Sequence, residues 1–220
     1  MKRLLIILVL ALSGMNILAQ GPTTAWPYLY PEFTEGTIFM AGGKKISRKL
    51  NVHVRADALH YLDKEIIKEA STKDVLYVEI GSDSYMVNGP ALLKVLARNG
   101  NAAVCASILG NYDALRETGG AYGVSSTTSA TRKLTSIDRD SQLGQNHMII
   151  WQSRHEGQSL ELLTKYYLVT SGFVVEASKK SIGEIVPEAR KAEWKAWQKS
   201  HKIKWNNPEQ LLIIGDFFNE

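Results

Sequence analysis

Apolar and polar side chains alternate at every second position in several short segments of this chain. In residues 50–55 one face holds Leu50, Val52 and Val54, and the other holds Asn51, His53 and Arg55. Successive side chains of a β-strand point to opposite faces of a sheet, so this period is typical of a strand that buries one face. The same period in residues 75–80 predicts that Leu76, Val78 and Ile80 share the buried face of another strand.

Turn signals separate these segments at short intervals. Gly42-Gly43 follows one predicted strand, Asn88-Gly89-Pro90 ends another, and Asn99-Gly100 joins residues 91–98 to 101–109. Asn-Gly between two apolar segments is typical of a β-hairpin, although ALLKVLAR (91–98) is also compatible with a short helix. Further strands are predicted at 148–152, 159–169 and 172–177.

The pattern becomes helical after residue 177. Ser178 is a suitable N-cap for a short helix that ends before Pro187. Residues 188–202 form a second predicted helix. Asn207, Pro208 and Gln210 occupy the N-cap, first and capping-box positions of a third.

Strands followed by helices predict an α+β fold. We expect a mostly antiparallel, curved or barrel-like sheet in residues 20–177, followed by two or three short helices in residues 178–220 that pack on it. Residues 111–147 are rich in Gly, Ser, Thr, Asp and Asn, with GGAYG and SSTTSAT at their centre. They predict a long polar loop within the sheet domain.

The first 19 residues have the plan of a secretory signal peptide. Lys2 and Arg3 precede an apolar run from Leu4 to Leu12, and Ala19 ends a small-residue cleavage site. A lipoprotein would carry a cysteine just after the apolar run, and none is there. We therefore expect an exported protein, periplasmic or extracellular, with no lipid anchor and no transmembrane segment in the mature chain.

Basic residues are concentrated near the C-terminus. Removing Lys2 and Arg3 lowers the formal charge from +4 to +2, since 24 basic and 22 acidic residues remain. Residues 178–205 hold eight Lys or Arg and three Glu, a net charge of +5. This asymmetry predicts a local basic patch rather than a generally basic protein.

The basic patch falls on the second predicted helix. At roughly 100° per residue, the lysines Lys191, Lys195, Lys199 and Lys202 share an arc of about 80° and could contact an anionic surface. The opposite side holds Ala189, Ala192, Ala196 and Trp197, with Trp194 and His201 at the border. We expect this side to pack on the sheet, with Trp194 and Trp197 buried. Nucleic-acid binding would favour aromatic side chains exposed among the cations, so no nucleic-acid partner is expected.

Several segments together resemble an uncharacterised family of exported, β-rich Gram-negative cell-envelope proteins with a helical C-terminal tail. They are YPEFTEGTIFMAGGKK, LNVHV, LHYLD, VLYVEIGSDSYMV, LLKVLARNGNAAV, the GAYG loop, SKKSIGEIVPE and NNPEQLLIIGDFFN. The resemblance covers most of residues 30–218 and lies in the order of the segments rather than in any single motif. It implies an exported location and a β fold with a helical tail, and it carries over no catalytic residue.

Motifs for catalysis, cofactors or metals are not found. The five histidines His53, His60, His147, His155 and His201 show no metal-ligand spacing, although His53 and His60 could become neighbours across a hairpin. GSDSY (81–85) lacks the second glycine of a nucleophile elbow, and GGAYG lacks the spacing of a phosphate loop. Glu156 with Glu161, and Asp138 with Asp140, are carboxylate pairs by proximity alone. The single cysteine, Cys105, lies in a small apolar stretch that predicts a buried thiol.

Three functions are compatible with this sequence. The first is a non-catalytic interaction or structural protein of the bacterial cell envelope, with an envelope protein or glycan as its partner. The second is a peripheral binder of anionic polymers or lipid headgroups through the four lysines. The third is a hydrolase whose residues come from scattered strands and the 111–147 loop.

Overall fold

A computed structural model describes residues 23–24, 28–100, 102–111 and 160–219. The predicted signal peptide, the 148–152 strand and the 111–147 loop beyond Asn111 lie outside these ranges. The described strands are β1 (Thr23–Thr24), β2 (Thr34–Met40), β3 (Lys45–His53), β4 (Ala58–Asp63), β5 (Ile66–Glu69), β6 (Val75–Ile80), β7 (Asp83–Asn88), β8 (Ala91–Asn99), β9 (Ala102–Gly110), β10 (Leu160–Thr170) and β11 (Phe173–Glu176). The helices are α1 (Lys179–Ile185), α2 (Lys191–Ser200) and α3 (Pro208–Asn219), with 3₁₀ turns at Ala41–Gly43 and Glu188–Arg190.

The strands form one antiparallel sheet that is not closed. Its order is β1-β10-β9-β8-β7-β6-β2-β3-β4-β5, and β11 pairs with the second half of β10. The predicted α+β fold is confirmed, with three short helices after the sheet. The alternative left open for residues 91–98 is settled as a strand, since β8 and β9 form a hairpin across Gly100, whose φ is +53°.

The sheet curls so that the turn between β3 and β4 contacts β8 and β9. The amide of Leu92 donates to the carbonyl of Asp57 at 2.9 Å, and the amide of Gly110 donates to the carbonyl of Val54 at 2.8 Å. The concave face encloses a cluster that we call the inner core. It consists of Ile38, Leu50, Val52, Leu59, Val75, Val78, Ile80, Tyr85 and Leu92.

The alternation in residues 50–55 is misleading, because residues 50–53, the second half of β3, are buried on both faces. The predicted polar face holds Asn51 at 0% and His53 at 5% exposure. Residues 28–33 cover that face: Tyr28 forms a β-bridge with His53, and the Asn51 side chain bonds to the backbone amide and carbonyl of Tyr30. Hydrogen bonds to this covering segment offset the cost of burying the Asn51 amide.

The predicted burial of Leu76 is also wrong, since its side chain is 60% exposed. The pairing of β2 with β6 shifts register between Phe39 and Met40, next to the start of β6. Such a bulge inserts a residue and moves the side chains beyond it to the other face. Val75 takes the inner-core position instead.

The three helices cover part of the sheet's other end and form a second core. Ser178 caps α1 through Ser181 N, and Asn207 caps α3 through Gln210 N, as their positions in the sequence predict. Helix α3 contacts β8, β9 and β10. The side chains of this helical core are Val104, Leu168, Ala177, Ile182, Val186, Trp194, Leu211, Ile214 and Phe217.

Gly215 sets how closely α3 approaches the sheet, because a Cβ at this position would collide with the Cβ of Ala102. In a free helix, Gly→Ala is stabilising by about 1 kcal/mol. We expect Gly215→Ala to be destabilising instead. It should lower the free energy of unfolding by about 1–3 kcal/mol, because the added methyl group overpacks the contact with Ala102. Urea unfolding followed by circular dichroism measures the change.

Gly183→Ala in α1 is the matched control. Its Cβ would meet its nearest neighbour, Trp194 Nε1, at 3.9 Å, an ordinary contact. This variant should be neutral or more stable than the parent. A stabilised Gly215→Ala protein would contradict the close packing of α3 on β9.

Candidate functional site

Helix α2 packs through its tryptophans rather than through its alanines. Trp194 is 4% exposed and contacts the ring of Phe217 in α3 at a centroid distance of 5.0 Å. Ala192 and Ala196, which the helical wheel places on the packed side, are exposed. The predicted packed side is therefore wrong for these two alanines, whereas Trp194 is buried and Trp197 is partly buried against the aromatic rings of α3.

Three rings on α2 and just beyond it form a stacked column. Trp197 stacks on Trp194 at 5.1 Å and on His201 at 4.3 Å, with interplanar angles of 14° and 17°. Arg190 adds a cation–π contact, its guanidinium 4.2 Å from the centre of the Phe217 ring. Rings that stack on one another bury apolar area within the protein, so this column is first a packing feature.

Lys191, Lys195 and Lys199 lie on α2, whereas Lys202 lies beyond its end, because α2 stops at Ser200 and His201 is extended. The helix predicted over residues 188–202 is therefore too long. We call the surface formed by these four lysines the lysine side of α2. Lys191 forms an ion pair with Glu188 at 2.5 Å. Lys195, Lys199 and Lys202 are exposed and form no ion pair within the described residues. The charge of this side therefore resides mainly on the last three.

Ion pairs among the described residues leave most of the positive charge of residues 178–205 uncompensated. Of the three glutamates in 178–205, Glu188 pairs with Lys191 and Glu193 binds Arg190 through two bonds of 2.9 Å. Taking Arg190 and Lys191 from the eight basic residues leaves six lysines opposite Glu184 alone. They are Lys179, Lys180, Lys195, Lys199, Lys202 and Lys204.

A shallow pocket of about 180 Å³ lies beside this lysine side. Trp197, His201 and Trp205 contribute aromatic walls, and Lys179 and Lys202 bring two amino groups to it. The sequence pattern indicated the lysines. It did not indicate this pocket, which forms only when the end of α2 meets α1 and the segment that leads to α3.

Polar side chains elsewhere in the sheet form bonded clusters. The Tyr30 hydroxyl donates to Asp83 Oδ2 at 2.6 Å and contacts the Tyr85 hydroxyl, and Lys94 Nζ lies 2.7 Å from the same Asp83 oxygen. Burial raises the pKa of both tyrosines above the ordinary range. Burial acts to raise the pKa of Asp83 as well, but the bonds from Lys94 and Tyr30 lower it overall. These phenols stay protonated, which suits structural hydrogen bonds better than nucleophilic attack.

Asp57 anchors the β3–β4 turn to β9. Its carboxylate accepts hydrogen bonds from Ser107 Oγ and from the amide of Ile108, the latter at 3.1 Å. Burial raises the pKa of this carboxyl, and the two hydrogen bonds partly oppose that shift. Its φ of +51° lies in the left-handed region, which Asp and Asn tolerate better than most residues.

The histidine pair suggested by the sequence does come together on β3 and β4. The rings of His53 and His60 stack at 5.1 Å, and His60 Nδ1 lies 2.8 Å from the Tyr28 hydroxyl. Within the described ranges, no group of three or more His, Cys, Asp or Glu side chains is placed to hold a metal ion. The pair is therefore part of the packing beneath residues 28–33.

Two further motifs have structural roles. In GSDSY, Gly81 and Ser82 form the turn from β6 into β7, and the last three residues begin β7; Gly81 has a φ of +58°. Cys105 is buried, as the sequence predicts, with its Sγ 3.5 Å from Met86 Sδ. Burial raises the pKa of the thiol to about 11, so the reactive thiolate is scarce at neutral pH.

No family model, curated protein or solved structure matches this chain. In the part of the chain that the structure describes, no helix combines the length and hydrophobicity needed to cross a bilayer. The exposed lysines and the adjacent aromatic pocket are therefore the candidate site on the strength of their own geometry.

The pKa of Asp57 gives a test of its structural role. A carboxyl whose pKa is raised by folding stabilises the protein most below its unfolded pKa, and this stability is lost as pH rises through the folded pKa. The free energy of unfolding of the parent, relative to Asp57→Asn, should therefore fall between pH 4 and pH 7. Urea unfolding of both proteins across this range measures the difference.

Asp57→Ala is the control for the hydrogen bonds themselves. It removes both acceptor contacts and puts alanine at a positive φ, so it should be about 1–3 kcal/mol less stable than Asp57→Asn. This difference between the two variants should not change with pH, because neither side chain titrates. An Asp57→Asn protein that becomes relatively less stable toward pH 7 would show that folding lowers this pKa instead.

Proposed function

We propose that this protein is an exported, non-catalytic interaction protein of the bacterial cell envelope. The amino-terminal signal pattern supports the exported location. The bonding of the reactive side chains supports a non-catalytic role: the Tyr30–Asp83–Lys94 cluster, Asp57 and the Cys105 thiol all serve packing contacts. Catalytic groups need a pKa matched to their task and access to substrate, and the raised pKa values of these tyrosines and this thiol favour the inert form.

The interaction surface that we propose is the lysine side of α2. Its main support is the imbalance in residues 178–205, where six lysines and one glutamate, Glu184, form no ion pair with another described residue. In 0.1 M salt the Debye length is about 10 Å. The electrostatic potentials of neighbouring lysines therefore add up at distances within about 10 Å of this surface. Such a face attracts anionic polymers and lipid headgroups, and we propose these as the partner class.

Nucleic acid is a less suitable partner than an envelope polyanion. Single-stranded nucleic acid binds by stacking its bases on exposed aromatic rings among the cations. Here Trp194 is buried, and Trp197 stacks on Trp194 and His201. The lysine side therefore offers charge with few open ring faces.

Replacing Lys195, Lys199 and Lys202 with glutamine tests this proposal. Each lysine near an anionic membrane contributes about 1 kcal/mol, so the triple variant should bind phosphatidylglycerol vesicles on the order of 100-fold more weakly at low salt. Vesicle co-sedimentation measures the partition, with phosphatidylcholine vesicles as the uncharged reference. The protein is recovered from the periplasm, where we expect its N-terminus at Gln20.

A control variant that loses three lysines elsewhere has the same change in net charge. It shows whether vesicle binding depends on the lysine side itself or only on the net charge of the protein. Lys64, Lys73 and Lys165 are exposed and lie on other parts of the sheet. Their replacement with glutamine should leave vesicle binding nearly unchanged. Equal losses in both triple variants, or no binding by the parent at low salt, would rule out the lysine side as the contact.

A further inference from the structure

The open end of the curled sheet contains a pocket of about 250 Å³ that the lysine side does not touch. It lies where β2 ends and β3 and β6 begin, and the inner core forms its floor. Its walls are mainly apolar, and the residues that matter here are Ile38, Met40, Ile46, Arg48, Tyr61 and Val75. The mouth of a barrel-like sheet is a common position for a small-molecule site.

Arg48 is the charged group on the concave face of this pocket. Cross-strand pairing joins Arg48 to Gly36 and, two residues along, Ile46 to Ile38. Since alternate residues of a strand share a face, Arg48 lies on the same face as Ile46 and the inner-core residue Leu50. The apolar pocket thus has a guanidinium at its edge.

The guanidinium of Arg48 has capacity for an anion. Its Nη1 donates to the carbonyl of Ser47 at 3.0 Å, and within the described ranges it forms no ion pair. The charge of Arg48 contributes slightly to lowering the pKa of Asp63, but the Asp63 carboxylate forms its ion pair with Lys68.

Glu69 also borders the pocket, but its carboxylate belongs to the other face of the sheet. Glu69 pairs with His60 across β4 and β5, and its Oε2 lies 3.8 Å from His60 Nε2. Tyr61, the next residue on β4, faces the pocket from the concave side. The net electrostatic preference at the pocket edge is therefore for a negative group.

We propose that this pocket binds a small amphiphile with an aliphatic body and one carboxylate. The aliphatic body would fill the apolar space between β2, β3 and β6, and the carboxylate would accept two parallel hydrogen bonds from Arg48. The space is sufficient, because an engineered apolar cavity of about 150 Å³ binds benzene. A cationic amphiphile would meet Arg48 with a like charge, and a fully polar ligand would leave the apolar walls without a partner.

Three ligands that differ only in the head group test this site. Octanoate, 1-octanol and octylamine share the same aliphatic chain and are titrated into the full mature protein by calorimetry and by amide chemical-shift mapping. We expect octanoate to bind at least about tenfold more tightly than 1-octanol, since a charge-assisted hydrogen bond contributes about 1.5–3 kcal/mol. Octylamine should bind more weakly than either, and the shifted amides should lie in β2, β3 and β6.

Two variants assign the preference to named residues. Arg48→Gln should lower the affinity for octanoate to that for 1-octanol and leave 1-octanol binding unchanged. Ala70→Leu should weaken both ligands, because Ala70 lines the pocket and a larger side chain would occupy it. Arg98→Gln, an exposed charge change on β8, is the matched control and should alter neither affinity.

Unfolding midpoints in urea show whether each variant retains its fold. If Ala70→Leu does not fold, Arg48→Gln alone still tests the proposal. Equal binding of octanoate and 1-octanol would overturn the proposal, as would octanoate binding that Arg48→Gln leaves intact. No octanoate binding at millimolar concentration, or shifted amides confined to the helices, would overturn it too.

Discussion

The contact of the β3–β4 turn with β8 and β9 determines the shape of the whole sheet. Two backbone hydrogen bonds, Leu92 N to Asp57 O and Gly110 N to Val54 O, join parts of the sheet that are far apart in strand order. The Asp57 carboxylate adds bonds to Ser107 and Ile108. A flat sheet would leave the apolar side chains of β2, β3 and β4 facing water, so this contact makes a continuous inner core possible.

Curling also separates the two surfaces that we connect with function. The inner core lies on the concave side of the sheet, and Arg48 borders the apolar pocket at the open end. The helices occupy a different part of the sheet, with α3 on β8, β9 and β10 and α2 stacked on α3 through Trp194 and Phe217. The lysine side of α2 and the Arg48 pocket can therefore be tested independently.

Local signals in the sequence predict most of the architecture but few of its non-local contacts. The strands predicted within the described residues, the Asn-Gly hairpin and the Ser178 and Asn207 caps depend on neighbouring residues, and these appear in the structure. The burial of Asn51 depends on the segment 28–33 that covers it, and the exposure of Leu76 depends on a bulge in β6. A helical wheel shows which residues of α2 share a side but not which side meets α3, so it places Ala192 and Ala196 on the packed side although both are exposed. Arg48 gave no sequence signal, since its place on the concave face follows from register with β2.

Native-state hydrogen exchange at the amides of Leu92 and Gly110 tests the curled sheet most directly. If the β3–β4 turn holds the sheet in its curled form, both amides should exchange only with opening free energies close to global unfolding, about 5–15 kcal/mol. Exchange at these two amides as fast as at the exposed ends of the strands would contradict the account, because it would show that the turn leaves β8 and β9 while the rest of the sheet stays folded.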